Sequence, residues 1–225
     1  EPKPGTFFIT IGDVMGKGLQ AKFYAFSFLG YVRSTLHTLL RTTTSPAEVM
    51  TRVNQVLMDD PPLEDTFASL LLLKWEPARN LVTYANAGHC RPVMVGPRGA
   101  EIVQHSDMIL GLDPSAEFKD TSLVLQPGTS LITYTDGLLE QELKSGEQLG
   151  EEGILKYAAT AYGKPDPVHT IINNVLADSS KSEYGDDILM FWLEREASRD
   201  RESVSQNPRW FSPFSEGAGS TNRGL

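Results

Sequence analysis

Hydrophobic positions along the chain fall into short β-rich runs and longer stretches of helical spacing, separated by glycine, proline and capping residues. Thr6 to Gly12 (TFFITIG) predicts a strand that ends in the Gly-rich turn Asp13-Val14-Met15-Gly16-Lys17-Gly18. From Leu19 to about Leu40 the chain is rich in Ala, Phe and Leu, with apolar residues almost all round, which predicts a helix buried on several sides. Ser45-Pro46-Ala47-Glu48 has the hydroxyl N-cap, first-turn proline and returning carboxylate of a capping box. Val49, Val53 and Leu57 then share one face, so a second helix is expected there.

Phe67 to Trp75 and Leu81 to Ala87 are β-rich and joined by Glu76-Pro77-Ala78-Arg79-Asn80, while Arg91 to Val95 meets Glu101 to Gln104 across Gly96-Pro97-Arg98-Gly99. These predict antiparallel hairpins. Thr121 to Leu125, Ser130 to Tyr134 and Ile188 to Glu194 add strands, and the segments near Gly153 to Tyr162 and Pro167 to Asp178 have helical spacing. Asp166-Pro167 starts the last helix and Gly163 stops the one before it. Helices come in pairs and strands in hairpin groups, without strict strand-helix alternation, so the class is α+β. Two antiparallel sheets flanked by helix pairs, a four-layer α-β-β-α sandwich, fit this pattern. From Ser198 the composition turns polar, which divides the chain into a domain over 1-197 and a tail over 198-225 that carries Trp210, Phe211 and Phe214.

Composition narrows the function. With 225 residues, 40% of them hydrophobic, the chain can build one substantial core. No apolar run is long enough to cross a bilayer and no charged-then-apolar leader opens the sequence, so a soluble, cytoplasmic protein without a membrane partner is expected. The single cysteine, Cys90, cannot form an internal disulfide and is read as packing. A net charge of −9 argues against nucleic acid as a partner, because that affinity rests on Lys and Arg neutralising phosphates. A phosphorylated substrate stays open, since carboxylates clustered around divalent cations invert the local potential.

Three segments place an aspartate at the end of a β-run: Gly12-Asp13, Thr135-Asp136-Gly137 and Gly185-Asp186-Asp187. Any one of them alone is explained by turn chemistry. Carboxylates at strand ends sit on rigid elements with their oxygens facing a loop-lined cleft, the arrangement a hard divalent ion needs. The turn after Gly12 is not a phosphate-cradling loop: such a loop needs four residues between its glycines and Ser or Thr after the lysine, whereas only three residues separate Gly12 from Gly16 and Gly18 follows Lys17.

The order and surroundings of these segments resemble the metal-dependent, type 2C-like (PPM) protein phosphatases, in the bacterial branch named after the stage II sporulation protein E. The resemblance is carried by GDVMGKG (Gly12 to Gly18), SPAEVMTRVNQVL (Ser45 to Leu57), YANAGHCRP (Tyr84 to Pro92), LGL (Leu110 to Leu112), PGTSLITYTDGLLE (Pro127 to Glu140) and GDDIL (Gly185 to Leu189), and it covers nearly all of Thr6 to Glu194. It implies that Asp13 bridges two metal ions, that the Val14 backbone carbonyl is a further ligand, and that Asp136 and Asp186 complete one shell. Asp187 is implied either as a ligand or as an acceptor behind the ligands. The implied ions are Mn²⁺ or Mg²⁺, two of them, in keeping with an all-oxygen donor set that has no Cys/His combination of the zinc type.

The implied activity is hydrolysis of phosphoserine or phosphothreonine on a small regulatory protein, such as an antagonist of an anti-sigma factor, by attack of metal-activated water. A sensor domain upstream on the same polypeptide is implied too. His89 lies in the AGH segment and Asn86 just before it, either supporting the loops behind the ligands or, for His89, assisting a proton transfer. His37, His105 and His169 match no catalytic element. Lys17 is read as a solvated turn residue.

The sequence also departs from the family pattern. The usual Gly-Asp pair on the preceding strand has no counterpart after Glu1, Met15 stands where eukaryotic relatives carry histidine, and Leu189 replaces a threonine, read as a packing change. Either the strand that carries that aspartate lies outside this chain, which then holds the phosphatase domain without its first N-terminal strand, or the protein lacks one acidic group of the site. The second case motivates an alternative, a catalytically inactive phosphatase fold kept as a sensor or binding module.

Overall fold

Four consecutive leucines, Leu70 to Leu73, are each no more than 2% exposed. They lie in one strand, so successive side chains point to opposite faces, and both faces must be covered. Leu70 and Leu72 join a core with the helical residues Val49, Met50 and Val53, whereas Leu71 and Leu73 join a second core with Leu131 and Tyr84. Each such leucine contributes about 1.5–3 kcal/mol of burial.

The computed structural model describes residues 4–15, 18–39, 44–60 and 66–197. Lys17, Trp210, Phe211, Phe214 and the predicted tail lie outside the described residues. In chain order the elements are β1 (Phe7–Val14), α1 (Gly18–Leu39), α2 (Pro46–Met58), β2 (Ala68–Glu76), β3 (Leu81–Ala87), β4 (Val93–Gly96), β5 (Gly99–Ile102), β6 (Thr121–Val124), β7 (Thr129–Tyr134), α3 (Asp136–Leu139), α4 (Gly150–Ala161), α5 (Pro167–Asp178) and β8 (Met190–Arg195).

Two four-stranded sheets form, in the orders β1-β2-β3-β6 and β5-β4-β7-β8, and every pairing is antiparallel. Helices α1 and α2 pack on the first sheet and α4 and α5 on the second. The layers enclose three apolar cores: one beneath α1 and α2, one between the sheets around Ile11, Trp75, Val82 and Leu131, and one around Val93, Ile132, Tyr157 and Ile171 beneath α4 and α5. The α+β class and the four-layer sandwich expected from the sequence are therefore the observed architecture. Among the described residues, no helix is long and apolar enough to cross a membrane.

Local signals act as predicted in several places. The Ser45 hydroxyl accepts from the Glu48 amide at 3.1 Å, and Val49, Val53 and Leu57 are buried. Asp166 caps α5 by accepting from the His169 amide at 3.1 Å. Between β2 and β3 the chain reverses through a short 3₁₀ turn that ends on Asn80 at φ 50°, a left-handed conformation asparagine tolerates. The Asn80 side chain then accepts from Arg195 Nε at 2.9 Å, which ties this hairpin to β8.

Helix α1 departs from expectation. Phe28, Val32 and Thr35 are buried, but Phe23, Phe26 and Leu29 are 59%, 78% and 51% exposed. An all-round apolar composition predicts burial on several sides, yet among the described residues α1 sits at the outside of the sandwich, packed against α2 and the first sheet. Leu189 is likewise no packing residue, being 55% exposed.

Candidate functional site

Strand β1 runs two residues further than the sequence suggests, so Asp13 belongs to the ladder and faces Ser69 of β2, with Val14 opposite Ala68. The two strands approach closely here: a Cβ on Gly12 would lie 2.5 Å from the Ser69 carbonyl oxygen, which only glycine avoids. Asp13 is thus fixed by a backbone ladder. Its Oδ1 accepts from the Val14 amide at 3.0 Å.

Asp136 opens α3 directly after β7. Asp186 and Asp187 lie in the irregular segment that leads into β8, and Asp186 Oδ1 accepts from the Asp187 amide at 2.7 Å. Gly137 holds the two segments together by having no side chain, since a Cβ there would fall 2.7 Å from the Asp187 carbonyl oxygen and 3.2 Å from Asp186 Cβ.

Asp13 feels all of these groups. Burial raises its pKa, the negative charges of Asp136, Asp186 and Asp187 raise it further, and only the Val14 amide opposes them. The fold has thus gathered aspartates from three separate segments at one end of the sandwich, within electrostatic reach of each other. No three carboxylate, imidazole or thiol groups among the described residues converge closely enough to enclose an ion. Like charges repel, and Asp13 and Asp186 each turn one oxygen onto the next backbone amide. The donor chemistry, carboxylate oxygens gathered from three segments, fits a hard divalent cation.

Asn86 and His89 close the turn after β3 by a reciprocal exchange: the His89 amide donates to Asn86 Oδ1 at 2.8 Å and Asn86 Nδ2 donates to the His89 carbonyl at 3.0 Å. Both are buried. His89 Nδ1 lies 2.8 Å from Ser69 Oγ, so the ring is tied to the residue that faces Asp13. Burial lowers the imidazole pKa to about 4 against the opposing pull of Asp136, which keeps the ring neutral near pH 7. Its Nε2 is buried and has no hydrogen-bond partner among the described residues.

With this geometry in place, comparison with known proteins decides the family. The model of the family described as stage II sporulation protein E (SpoIIE) matches residues 3–196. The chain belongs to the SpoIIE family. A curated relative of this SpoIIE-family chain is the phosphoserine phosphatase RsbU of Bacillus subtilis (strain 168), 21% identical over 140 residues, a match that covers 61% of the chain and 40% of RsbU. The structure of the RsbU and RsbW domains of Rv1364c from Mycobacterium tuberculosis superposes with a TM-score of 0.70 at 21% identity, covering 88% of this chain and 54% of that one. The structure of RsbX in complex with magnesium superposes with a TM-score of 0.56 at 17% identity, covering 85% and 81%. The chain therefore spans about half or less of the first two of these relatives.

Sequence reasoning missed three polar residues in this SpoIIE-family site. Ser69 reaches His89, Thr135 bonds Leu189 and Asp187, and Gln141 accepts from the Gly185 amide. None belongs to an acidic motif. Cys90, read as packing, is partly buried against the core beneath α4 and α5, and burial pushes its thiol up to about 12, outside the reactive range. Of the remaining histidines, His105 pairs with Asp107 and His169 with Asp166, while His37 lies in the last turn of α1.

Proposed function

We propose that this chain is the catalytic domain of a serine/threonine protein phosphatase, over residues 1–197, that hydrolyses phosphoserine or phosphothreonine on a small regulatory protein such as an anti-sigma factor antagonist. The observation that carries the reading is the gathering of Asp13, Asp136, Asp186 and Asp187 at one end of the sandwich, where burial and then the charges of the other three raise the pKa of Asp13. Family membership and the phosphoserine phosphatase RsbU among its relatives support the reaction class.

In this reading Asp13, the Val14 carbonyl, Asp136 and Asp186 hold two Mn²⁺ or Mg²⁺ ions, with Asp187 beside them, and the magnesium bound by RsbX supports the ion type. Such ions activate water at neutral pH and neutralise charge on the phosphoryl oxygens. The chain's own part is placement. The β1–β2 ladder fixes Asp13, the β7–α3 junction fixes Asp136, and the neutral His89 ring buttresses Ser69 without adding a competing positive charge. An acidic rim with no ion would repel a phosphoryl dianion, so substrate binding and cation binding are coupled. A sensor domain on the same polypeptide would control this domain, in keeping with relatives that it spans only in part.

The test is phosphate release from a phosphoserine-bearing small protein and from p-nitrophenyl phosphate, with and without Mn²⁺. Metal-dependent release from both, without comparable turnover of ATP, supports the reading. A folded protein that releases no phosphate from either substrate would instead identify an inactive sensor or binding module.

A further inference from the structure

The segment that carries Asp186 and Asp187 has no helix or strand of its own, and residues 185–187 and 189 are exposed. Its two carboxylates and Asp136 all act on Asp13, so they share one electrostatic neighbourhood in which like charges are held near one another. A small set of polar contacts holds it. The Thr135 amide donates to the Leu189 carbonyl at 3.0 Å, and the Thr135 hydroxyl accepts from the Leu189 amide at 3.0 Å and donates to the Asp187 carbonyl at 3.3 Å. On the other side of the acidic pair, the Gly185 amide donates to Gln141 Oε1 at 3.3 Å.

Both anchors come from the segment that carries Asp136. Thr135 is the N-cap residue of α3, where a hydroxyl ordinarily accepts from the first turn of the helix. Here it makes no capping bond and is turned onto the acidic loop instead. Gln141 follows α3 and is 4% exposed, and its carbonyl accepts from the Leu149 amide at 2.9 Å, so it is fixed at the head of α4. A buried amide side chain is kept where it has a bonding duty, and the one shown here is the loop amide next to Asp186.

We propose that Thr135 and Gln141 are positioning residues that bracket the Asp186–Asp187 loop from both sides and set its distance from Asp136, and so govern how readily these carboxylates take a divalent cation. The proposal rests on the metal reading above. Neither residue needs to touch an ion or the substrate. Removing groups that orient ligands from behind costs roughly 10- to 100-fold in metal affinity, which sets the expected size.

The experiment compares Thr135→Val, Thr135→Ser and Gln141→Met in the full chain by thermal melts across a Mn²⁺ titration, and by amide hydrogen exchange without metal. Thr135→Val and Gln141→Met should need roughly 10- to 100-fold more Mn²⁺ for the wild-type rise in melting temperature. Exchange across 185–189 should quicken while the metal-free melt barely moves, and Thr135→Ser should behave as wild type. A wild-type Mn²⁺ titration in Thr135→Val, or a defect in Thr135→Ser equal to that of Thr135→Val, overturns the proposal. Should Thr135→Val fail to fold, Gln141→Met decides by the same two measurements. If the wild type ignores Mn²⁺ altogether, the metal reading falls; the exchange arm then judges the bracket alone, and unchanged exchange at 185–189 overturns it.

Discussion

Gly137 lies so close to Asp187 that a Cβ at this position would stand 2.7 Å from the Asp187 carbonyl oxygen. The atom it would meet is backbone, not the end of a flexible side chain, so the acidic loop itself would have to shift. Gly137→Ala should therefore cost about 1–3 kcal/mol of stability through overpacking. It should also lower phosphate release by more than the loss of folded protein explains, because catalytic positioning tolerates little displacement. Urea melts beside turnover per folded molecule check this. An alanine variant with wild-type turnover would show that the loop has slack.

His89 makes stability depend on pH. Its folded pKa of about 4 lies below the ordinary 6.5, so the unfolded chain takes up the proton first as the pH falls. The contribution is present above pH 6.5, is lost progressively between 6.5 and about 4, and totals about 3 kcal/mol by linkage. His89→Asn should flatten the part of the profile between about pH 4 and 6.5 that the imidazole contributes. Urea melts at intervals of pH in EDTA measure it, and identical slopes for wild type and variant would contradict the buried neutral ring.

The leucine run of β2 offers a test of the layering. Leu71 and Leu72 are each fully buried, one between the sheets and one beneath α1 and α2. Leu71→Ala and Leu72→Ala should each cost about 2–5 kcal/mol, and being on opposite faces they should report on separate cores. A strand with one solvated face would give one large and one small effect in the same denaturant melts.

Much of this was legible in the sequence because the signals are local. The capping residues Ser45 and Asp166, the turn at Asn80 and the β-rich run of β2 each act over a few neighbouring positions. The exposed face of α1 was not legible, since Phe23, Phe26 and Leu29 are apolar whatever lies opposite them. Nor were the supports of the site. Ser69 and His89 are 20 positions apart, and Thr135 and Leu189 are 54 apart. Threonine at a helix start reads as a cap, and nothing nearby shows that its hydroxyl is turned elsewhere. Acidic motifs reveal which carboxylates gather, while the contacts that hold them are set by the packing of distant segments.

The central expectation concerns Asp13. Its pKa is raised chiefly by burial and then by the charges of Asp136, Asp186 and Asp187, so the folded state holds its proton more tightly than the unfolded chain does. A raised carboxyl pKa means that stability falls as the pH climbs from the ordinary aspartate value through the folded one, and this cost persists at neutral pH. Without metal, Asp13→Asn should therefore melt at or above the wild-type temperature at pH 7, and the difference should vanish at a pH where the wild-type carboxyl is protonated. With metal the order should reverse. A cation that binds only the folded state, present at about one hundred times its dissociation constant, adds roughly 2.7 kcal/mol of apparent stability. Asp13→Asn should lose that gain together with phosphate release, and Asp136→Asn should behave similarly while sparing part of the metal response. Melts of both variants across a Mn²⁺ titration, read beside a phosphate-release assay, settle the matter: a wild-type metal response in Asp13→Asn would leave this aspartate a turn residue and remove it from the chemistry.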